Sequence, residues 1–489
     1  MRNSLFTRHS IGALISSMLL YYAFDVDCNG WFLAVASFVF LLGTIEETSS
    51  KASMFLCESL FVIVFLTLQY SFLIRMALDD VASLLVIMIV VAMYILPLML
   101  LSLCGISDNK PAIFSISFLL SEYLFSHSSV GNQMFQLGIL LGDTTYISQF
   151  YEYTGPCFGS LLIMFLSYGL FKFIRGYRSY GVSILIVLFV SIIFGAYLHR
   201  KYCISKDDVQ ISVLALNKDC QLDSLLLSYA DTSDYLVLPE AVAEIHSANI
   251  TTNSFITQMY RFSDKHDLSV IAGVYLYDDG KLYNNSYTIS SAIKHVRSKE
   301  VLVPFAEYLP WKWIYKLSDN IVSKLPRQVY CVRDNINVYN DGVVSYSPII
   351  CYEALFSGFI SNLCVNGSEL FFVSSSNLYI DSDHIESITQ KIIQTNAISC
   401  RRSFVRSTEN GRSMFVDIKG RVCKSSGYTP SIITCKVPSN THMTFYSLYF
   451  HQIENLYYLI LLILYAFCSF VHYCPELLPD SINNETKLS

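Results

Sequence analysis

Charge is scarce in this sequence: Asp, Glu, Lys and Arg make up 15% of its 489 residues, against 53% hydrophobic ones. So little charge with so much apolar surface excludes an ordinary water-exposed globule and is the composition of a membrane protein. The 10 histidines, among them His246, His266, His295 and His384, show no ligand spacing, and no Cys-x-x-Cys pair occurs among the 14 cysteines. No metal site and no cofactor are therefore expected. Internal repeats and low-complexity linkers are also missing from residues 201–445, which excludes a repeat architecture there. The apolar runs lack paired charges and inverted halves, which argues against a transporter. No nucleic-acid partner is expected, and the net charge of −6 is uninformative about other partners.

What is present is a series of apolar runs in the first 200 residues: 9–25, 31–46, 53–74, 82–104, 111–127, 157–173 and 180–199. A membrane crossing takes about 17–25 helical residues, so 31–46 is short. Arg2 and Arg8 precede the first run, but no small-residue cleavage site follows YYAFDVDC, so an uncleaved helix is expected. Arg2 and Arg8, with Lys172, Arg175 and Arg178 between the sixth and seventh runs, share one side and make it cytoplasmic; they outweigh Arg75, Arg200 and Lys201. A last run, 446–471, is expected to cross back. Residues 121–156 hold no Lys or Arg. They read as a plain external loop or as an interfacial or re-entrant segment.

Residues 201–445 differ in texture. Short β-rich runs (ISVLAL at 211, YLVLP at 235, SVIAGV at 269, LFFVSS at 370, MFVDI at 414) alternate with helical candidates at 251–266, 353–363 and 383–400. That alternation reads as α/β. The expected organisation is a transmembrane domain at 1–200, an external domain at 201–445, a C-terminal transmembrane helix at 446–471 and a cytoplasmic tail at 472–489.

Within the external domain, SYSPIICYEALF (345–356) carries Cys351 from a strand into a helix-prone stretch. Unpaired N–H groups at a helix start favour a thiolate, and that of Tyr352 is placed to hold an oxyanion. A lone cysteine is commonly just a small buried hydrophobe, so its companions decide. DYLVLPEAVAEI ends a strand at Glu240, and SKEVLVPFAEYLPW offers Lys299 just before another apolar strand and Glu307 in the loop after it. Glu240, Lys299 and Cys351 are the residue types of a site in which a carboxylate moves protons, an ammonium holds an oxyanion and a thiolate carries an acyl group. Glu353 is expected to support Cys351, and Arg406 either orients a lipid phosphate or sits as a core-rim arginine.

These stretches resemble the nitrilase, or carbon-nitrogen hydrolase, superfamily, and within it the apolipoprotein N-acyltransferases. That branch shows K-x-x-L-V-P-F-G-E-Y/F, I-C-Y-E and R-x-T-N-x-G. Lys299, Leu302 to Phe305, Glu307 and Tyr308 match the first, with Ala306 for Gly; Ile350 to Glu353 match the second; Arg406, Thr408 and Gly411 match the third, with Glu409 for Asn. Glu122, Gly131, Gly138, Gln149 and Gly155 resemble another family segment, although its Phe-Pro-Trp is absent. The loop SSNLYIDSDHIESITQ lacks the family's Trp, Phe-Gly and Gln-His, which bears on acceptor recognition. The resemblance implies a polytopic α-helical membrane domain with an α/β, nitrilase-like αββα sandwich facing the periplasm from a bacterial inner membrane. It also implies transfer of a phospholipid acyl chain, through a Cys351 thioester, to the diacylglyceryl-cysteine amine of an apolipoprotein. A membrane-tethered amidase or a non-catalytic scaffold of the same fold stand as alternatives. Seven further cysteines lie in the external domain, without an assignable pairing.

Overall fold

The computed structural model describes residues 2–75, 80–104, 109–202, 208–216, 222–229, 233–250, 252–291, 293–311, 330–333, 337–378, 380 and 382–470. Each apolar run forms a helix: α1 (Arg2–Asp25), α2 (Trp31–Glu46), α3 (Lys51–Gln69), α4 (Asp80–Cys104), α5 (Lys110–Ser126), α6 (Tyr151–Ile174) and α7 (Arg178–Lys201). Among the described residues five helices are long and apolar enough to cross a membrane, in α3, α4, α6, α7 and the C-terminal helix; α2 and α5, at 16 and 17 residues, are shorter. Their packed faces are apolar (Phe38, Phe61, Phe114 and Phe118 meet in one aromatic cluster), while Leu185, Ile186 and Phe189 of α7 point outward, as lipid-facing positions do.

The 121–156 segment is not an open external loop. After α5 it forms two short 3₁₀ turns, Leu137–Leu141 and Ile147–Phe150, and all five residues of the first are buried. α6 bends at Gly155 (φ 67°), where a Cβ would lie 2.0 Å from the Tyr446 ring, so only glycine admits that approach. Backbone of this irregular kind is tolerated because it is enclosed by protein.

Beyond α7 the chain builds two sheets. The first has the order β13-β1-β2-β4-β5-β6, with β3 beside β4. It comprises β1 (Asp208–Ala215), β2 (Tyr235–Val237), β3 (Ala243–His246), β4 (Ser269–Asp278), β5 (Lys281–Ile289), β6 (Ile293–Ser298) and β13 (Ser431–Pro438). The second has the order β12-β11-β10-β9-β8-β7 and comprises β7 (Tyr339–Asn340), β8 (Ser345–Ile350), β9 (Leu370–Ser376), β10 (Ser403–Glu409), β11 (Met414–Val416) and β12 (Val422–Ser425). Alternation along each strand assigns its two faces. Leu370 and Phe372 join Ile211, Val213 and Ile271 between the sheets, whereas Phe371 and Val373 face Ile360, Leu363 and Ile393 of α9 (Ser357–Val365) and α10 (Asp383–Cys400). On the far side Leu236 and Val270 meet Ile256 and Met259 of α8 (Ser254–His266). The layers are therefore helix, sheet, sheet, helix, as the αββα expectation has it. The last helix, α11 (Phe450–Phe470), returns to the bundle, where Tyr457 is buried. Residues 472–489 lie outside the described residues.

The sandwich is fastened to the bundle by polar groups. Arg401, at the end of α10, donates to Glu152 (2.6 Å) and to Gln149 (2.7 Å). The His384 ring sits between Asp25 of α1 (3.1 Å) and Gln69 of α3 (2.5 Å). Buried charges and amides paired in this way hold one docking register rather than a sliding apolar contact.

Candidate active site

The site forms where the carboxyl ends of β2 and β8 and the stretch following β6 converge. Glu240 lies three residues past the end of β2, and its backbone packs on Gly273 of β4: a Cβ there would lie 2.5 Å from the Glu240 Cα. The Asn284 amide donates to Glu240 Oε1 (2.6 Å) and the Ser376 backbone N–H to Oε2 (3.1 Å). Asn284 also accepts the Lys299 backbone N–H through its carbonyl (2.8 Å), so one β5 residue fixes both.

Lys299 directly follows β6. Its Nζ lies 2.7 Å from Glu307 Oε1 and 3.6 Å from Glu240 Oε1, and all three side chains are buried. Glu307 is thus in the site, its other oxygen accepting the Val303 N–H (2.7 Å). The apolar run after Lys299 forms loop rather than strand, since Pro304 and Pro310 lack donors for a ladder.

Cys351 ends β8 with φ 46°, and the stretch after it begins as a 3₁₀ turn, Cys351–Leu355, before α9. Ala241 (φ 59°) and Phe305 (φ 64°), beside Glu240 and Glu307, share this left-handed backbone. Each such residue costs of order 1–3 kcal/mol, and their gathering in three site loops marks a region held in place by its surroundings.

The electrostatics correct one expectation. Burial, with the Glu240 charge, pushes the Cys351 thiol up to about 12, against the opposing pull of Lys299 and Arg406. A short 3₁₀ turn supplies little of an α-helix dipole, so the resting cysteine is a thiol and needs a base. Burial disfavours the Lys299 ammonium, yet Glu307, Glu240 and Cys351 together outweigh it and raise its pKa above the ordinary lysine value. Burial likewise lifts Glu307, with Lys299 opposing.

Glu353 is fully buried and accepts from five donors: Arg297 Nη1 (2.7 Å) and Ile350 N (2.8 Å) on Oε2, Arg297 Nη2 (2.9 Å), Glu300 N (2.7 Å) and Val301 N (3.4 Å) on Oε1. It ties the β8 end that carries Cys351 to the stretch that carries Lys299. The Arg406 guanidinium is spent on Glu386, at 2.7 and 2.9 Å, a geometry that holds a wall of the site rather than an open phosphate fork. Tyr352 packs edge-on against Phe356 (5.0 Å).

One apolar cavity joins the two halves of the molecule. Cys351, Tyr352 and Leu355 line it with Val303 to Ala306 of the Lys299 stretch, while Tyr70, Phe72, Val86 and Val90 enter from α3, α4 and their connection. Its carbon-rich wall suits a hydrocarbon chain and leaves the cysteine as one of few polar atoms in reach.

Sequence reasoning missed Arg297, Asn284 and Glu386. Arg297 lies in β6 two residues before Lys299, and that spacing was a usable signal; the other two carried none. Eleven of the cysteines, Cys351, Cys364 and Cys400 among them, are free thiols, while Cys203, Cys220 and Cys474 fall outside the described residues.

Comparison with known proteins bears on both halves. Residues 16–169 match the apolipoprotein N-acyltransferase N-terminal domain. Apolipoprotein N-acyltransferase 2 of Treponema denticola is 28% identical over 251 residues, covering 49% of this chain and 45% of that protein. The apolipoprotein N-acyltransferase of Haemophilus influenzae is 23% identical over 405 residues, 74% of this chain and 75% of that protein. The first three curated relatives are matched over 45%, 27% and 25% of their own lengths, less than half of each. Among solved structures, Nit3 of Saccharomyces cerevisiae, a member of branch 10 of the nitrilase superfamily, aligns at a TM-score of 0.36 and 12% identity, covering 51% of this chain and 97% of that one. Over the matched N-terminal domain and the stretches shared with these relatives, the chain is similar to the apolipoprotein N-acyltransferases.

Proposed function

We propose that the chain is an apolipoprotein N-acyltransferase that moves an acyl chain from a membrane phospholipid, through a Cys351 thioester, to the amine of diacylglyceryl-cysteine on an apolipoprotein. The observation that carries this is the position of Cys351 in a cavity walled by the membrane helices, through Tyr70, Phe72, Val86 and Val90. A thiol so placed meets an acyl chain that has not left the bilayer. An amidase for small water-soluble substrates has no use for such a wall.

In the first half-reaction Glu240 takes the thiol proton as Cys351 attacks the ester carbonyl. Lys299 and the Tyr352 backbone N–H hold the oxyanion, and Glu240 returns the proton to the departing lysophospholipid oxygen. In the second, an amine attacks the thioester, Glu240 accepts its proton and passes it to the sulfur. Glu307 keeps Lys299 charged and aimed. Glu353 and Arg406 hold the backbone and wall around Cys351; with both terminal nitrogens on Glu386, Arg406 is assigned to the wall and not to a headgroup.

We place residues 1–200 and 446–471 in a bacterial inner membrane, the catalytic domain at 201–445 in the periplasm and 472–489 in the cytoplasm. Arg175, in the α6–α7 turn, pairs with Glu46 at the end of α2 (2.8 Å), while Asp25 at the end of α1 meets the sandwich at His384 (3.1 Å). The basic turn and the sandwich therefore lie at opposite ends of the bundle, as the distribution of Lys and Arg requires. The experiment is to supply purified protein with phospholipid and a diacylglyceryl-cysteine peptide: triacylated peptide supports the transferase, and free fatty acid with unchanged peptide supports an amidase-like hydrolase instead.

A further inference from the structure

Glu409 ends β10, and the thioester chemistry leaves it without a role. It is half-buried, next to Ser376 in the β9–β10 register. Ser376 touches two carboxylates: its backbone N–H donates to Glu240 Oε2 (3.1 Å) and its hydroxyl donates to Glu409 Oε2 (3.3 Å). Glu409 is therefore one residue removed from the base, on the side nearer solvent.

The second half-reaction has a proton surplus. An α-amine with an ordinary pKa of about 7.7–8.0 arrives at neutral pH mainly as the ammonium, which has no lone pair with which to attack. Of its three N–H protons, one stays on the product amide and one passes through Glu240 to the Cys351 sulfur. The third must reach solvent first. Glu240 is ill suited to carry it there, being 5% exposed, with Asn284, Ser376 and Lys299 occupying its oxygens.

We propose that Glu409 takes this surplus proton from the acceptor ammonium at the rim of the site and releases it to water. An N–H bond breaks and a carboxyl O–H forms; the neutral amine then makes its bond to the thioester carbon as the C–S bond breaks. The geometry has the needed polarity, since a carboxylate attracts the ammonium to the edge of the site and the shared serine keeps it beside Glu240. Burial raises the Glu409 pKa, with Ser376 opposing and Glu240 adding to the rise, so its carboxylate is a better proton acceptor than an ordinary one. Among the described residues Glu240 is the charge that acts on it; Ser376 on β9 and Leu216, bridged to Glu409 just past β1, are uncharged.

This inference rests on the thioester reading, and its test separates the two. Full-length wild type and Glu409→Gln are first loaded with phospholipid and the acyl adduct is measured; the acyl-enzymes are then given either diacylglyceryl-cysteine peptide or hydroxylamine, a small amine already neutral at neutral pH. Equal loading shows that Glu409→Gln is folded. The expected result is peptide transfer at least about tenfold slower at mildly acidic pH, a deficit that shrinks as pH rises and the peptide amine deprotonates by itself, unchanged reaction with hydroxylamine, and recovery of the wild-type pH profile in Glu409→Asp. A loss equal for both amines, a loss independent of pH, or no loss overturns the role of Glu409. A wild type that forms no adduct overturns the thioester reading itself.

Discussion

Arg297 and Glu353 form a two-pronged ion pair at 2.7 and 2.9 Å with both side chains wholly excluded from solvent. The pair joins the strand that leads to Lys299 with the strand that ends at Cys351. Removing one partner strands the other charge in the interior, which costs about 3–5 kcal/mol. Arg297→Leu and Glu353→Ala are each expected to destabilise the fold by that amount in detergent denaturation. Arg297→Lys keeps the charge but not the fork, and is expected to retain the fold while slowing Cys351 acylation.

Glu240→Gln is expected to separate thiol reactivity from catalysis. The Glu240 charge helps hold the thiol at about 12, so removing it lowers the thiol pKa and speeds alkylation of Cys351 by iodoacetamide at mildly alkaline pH, while acyl transfer is lost with the base. Wild-type alkylation is expected to rise only well above the ordinary thiol value of about 8.5. By the same shift the protonated thiol stabilises the fold below that ordinary value, a contribution lost as pH climbs through the folded one. Alkylation rates against pH for both proteins check this.

Lys299→Met removes the ammonium assigned to the oxyanion. Acylation of Cys351 is expected to slow by about 10²–10³-fold, the usual loss for one oxyanion donor. Glu307 and Glu240 are then left without their cation, so the variant is also expected to be less stable at neutral than at mildly acidic pH, where Glu307 protonates. Single-turnover adduct formation and a pH series of thermal melts read the two effects.

Val90→Trp fills the membrane side of the cavity. A methylene-sized change in an apolar pocket is worth about 1–3 kcal/mol, so long-chain phospholipid donors are expected to lose ten-fold or more against short-chain ones, with the thiol still open to alkylation. Competition between donors of two chain lengths, read by adduct mass, measures the ratio.

Much of this was legible in the sequence because the relevant signals are local. Apolar runs gave the helices, although α1 starts at Arg2 and α6 at Tyr151, well before the runs at 9 and 157, and Pro239-Glu240, Lys299 and Cys351 each announced themselves next to a strand. Asn284 and Glu386 stayed hidden because their importance comes from partners 44 and 20 residues away, Glu240 and Arg406, which only the folded sheets bring near. What holds the Cys351 thiol protonated stayed hidden for a related reason. A helix start was visible in EALFSGFI, but the burial and the neighbouring carboxylate that overrule it are tertiary. The buried 3₁₀ turns of 137–150 depend likewise on α6 and α10 closing over them, which no pattern in that stretch foretells.

An acyl group on Cys351 is read by intact-mass spectrometry of the full-length protein incubated with phospholipid. The wild type is expected to form a hydroxylamine-labile acyl adduct that Cys351→Ser does not form. An adduct that persists in Cys351→Ser, or a folded wild type that forms none with any of several phospholipids, would contradict acylation of Cys351.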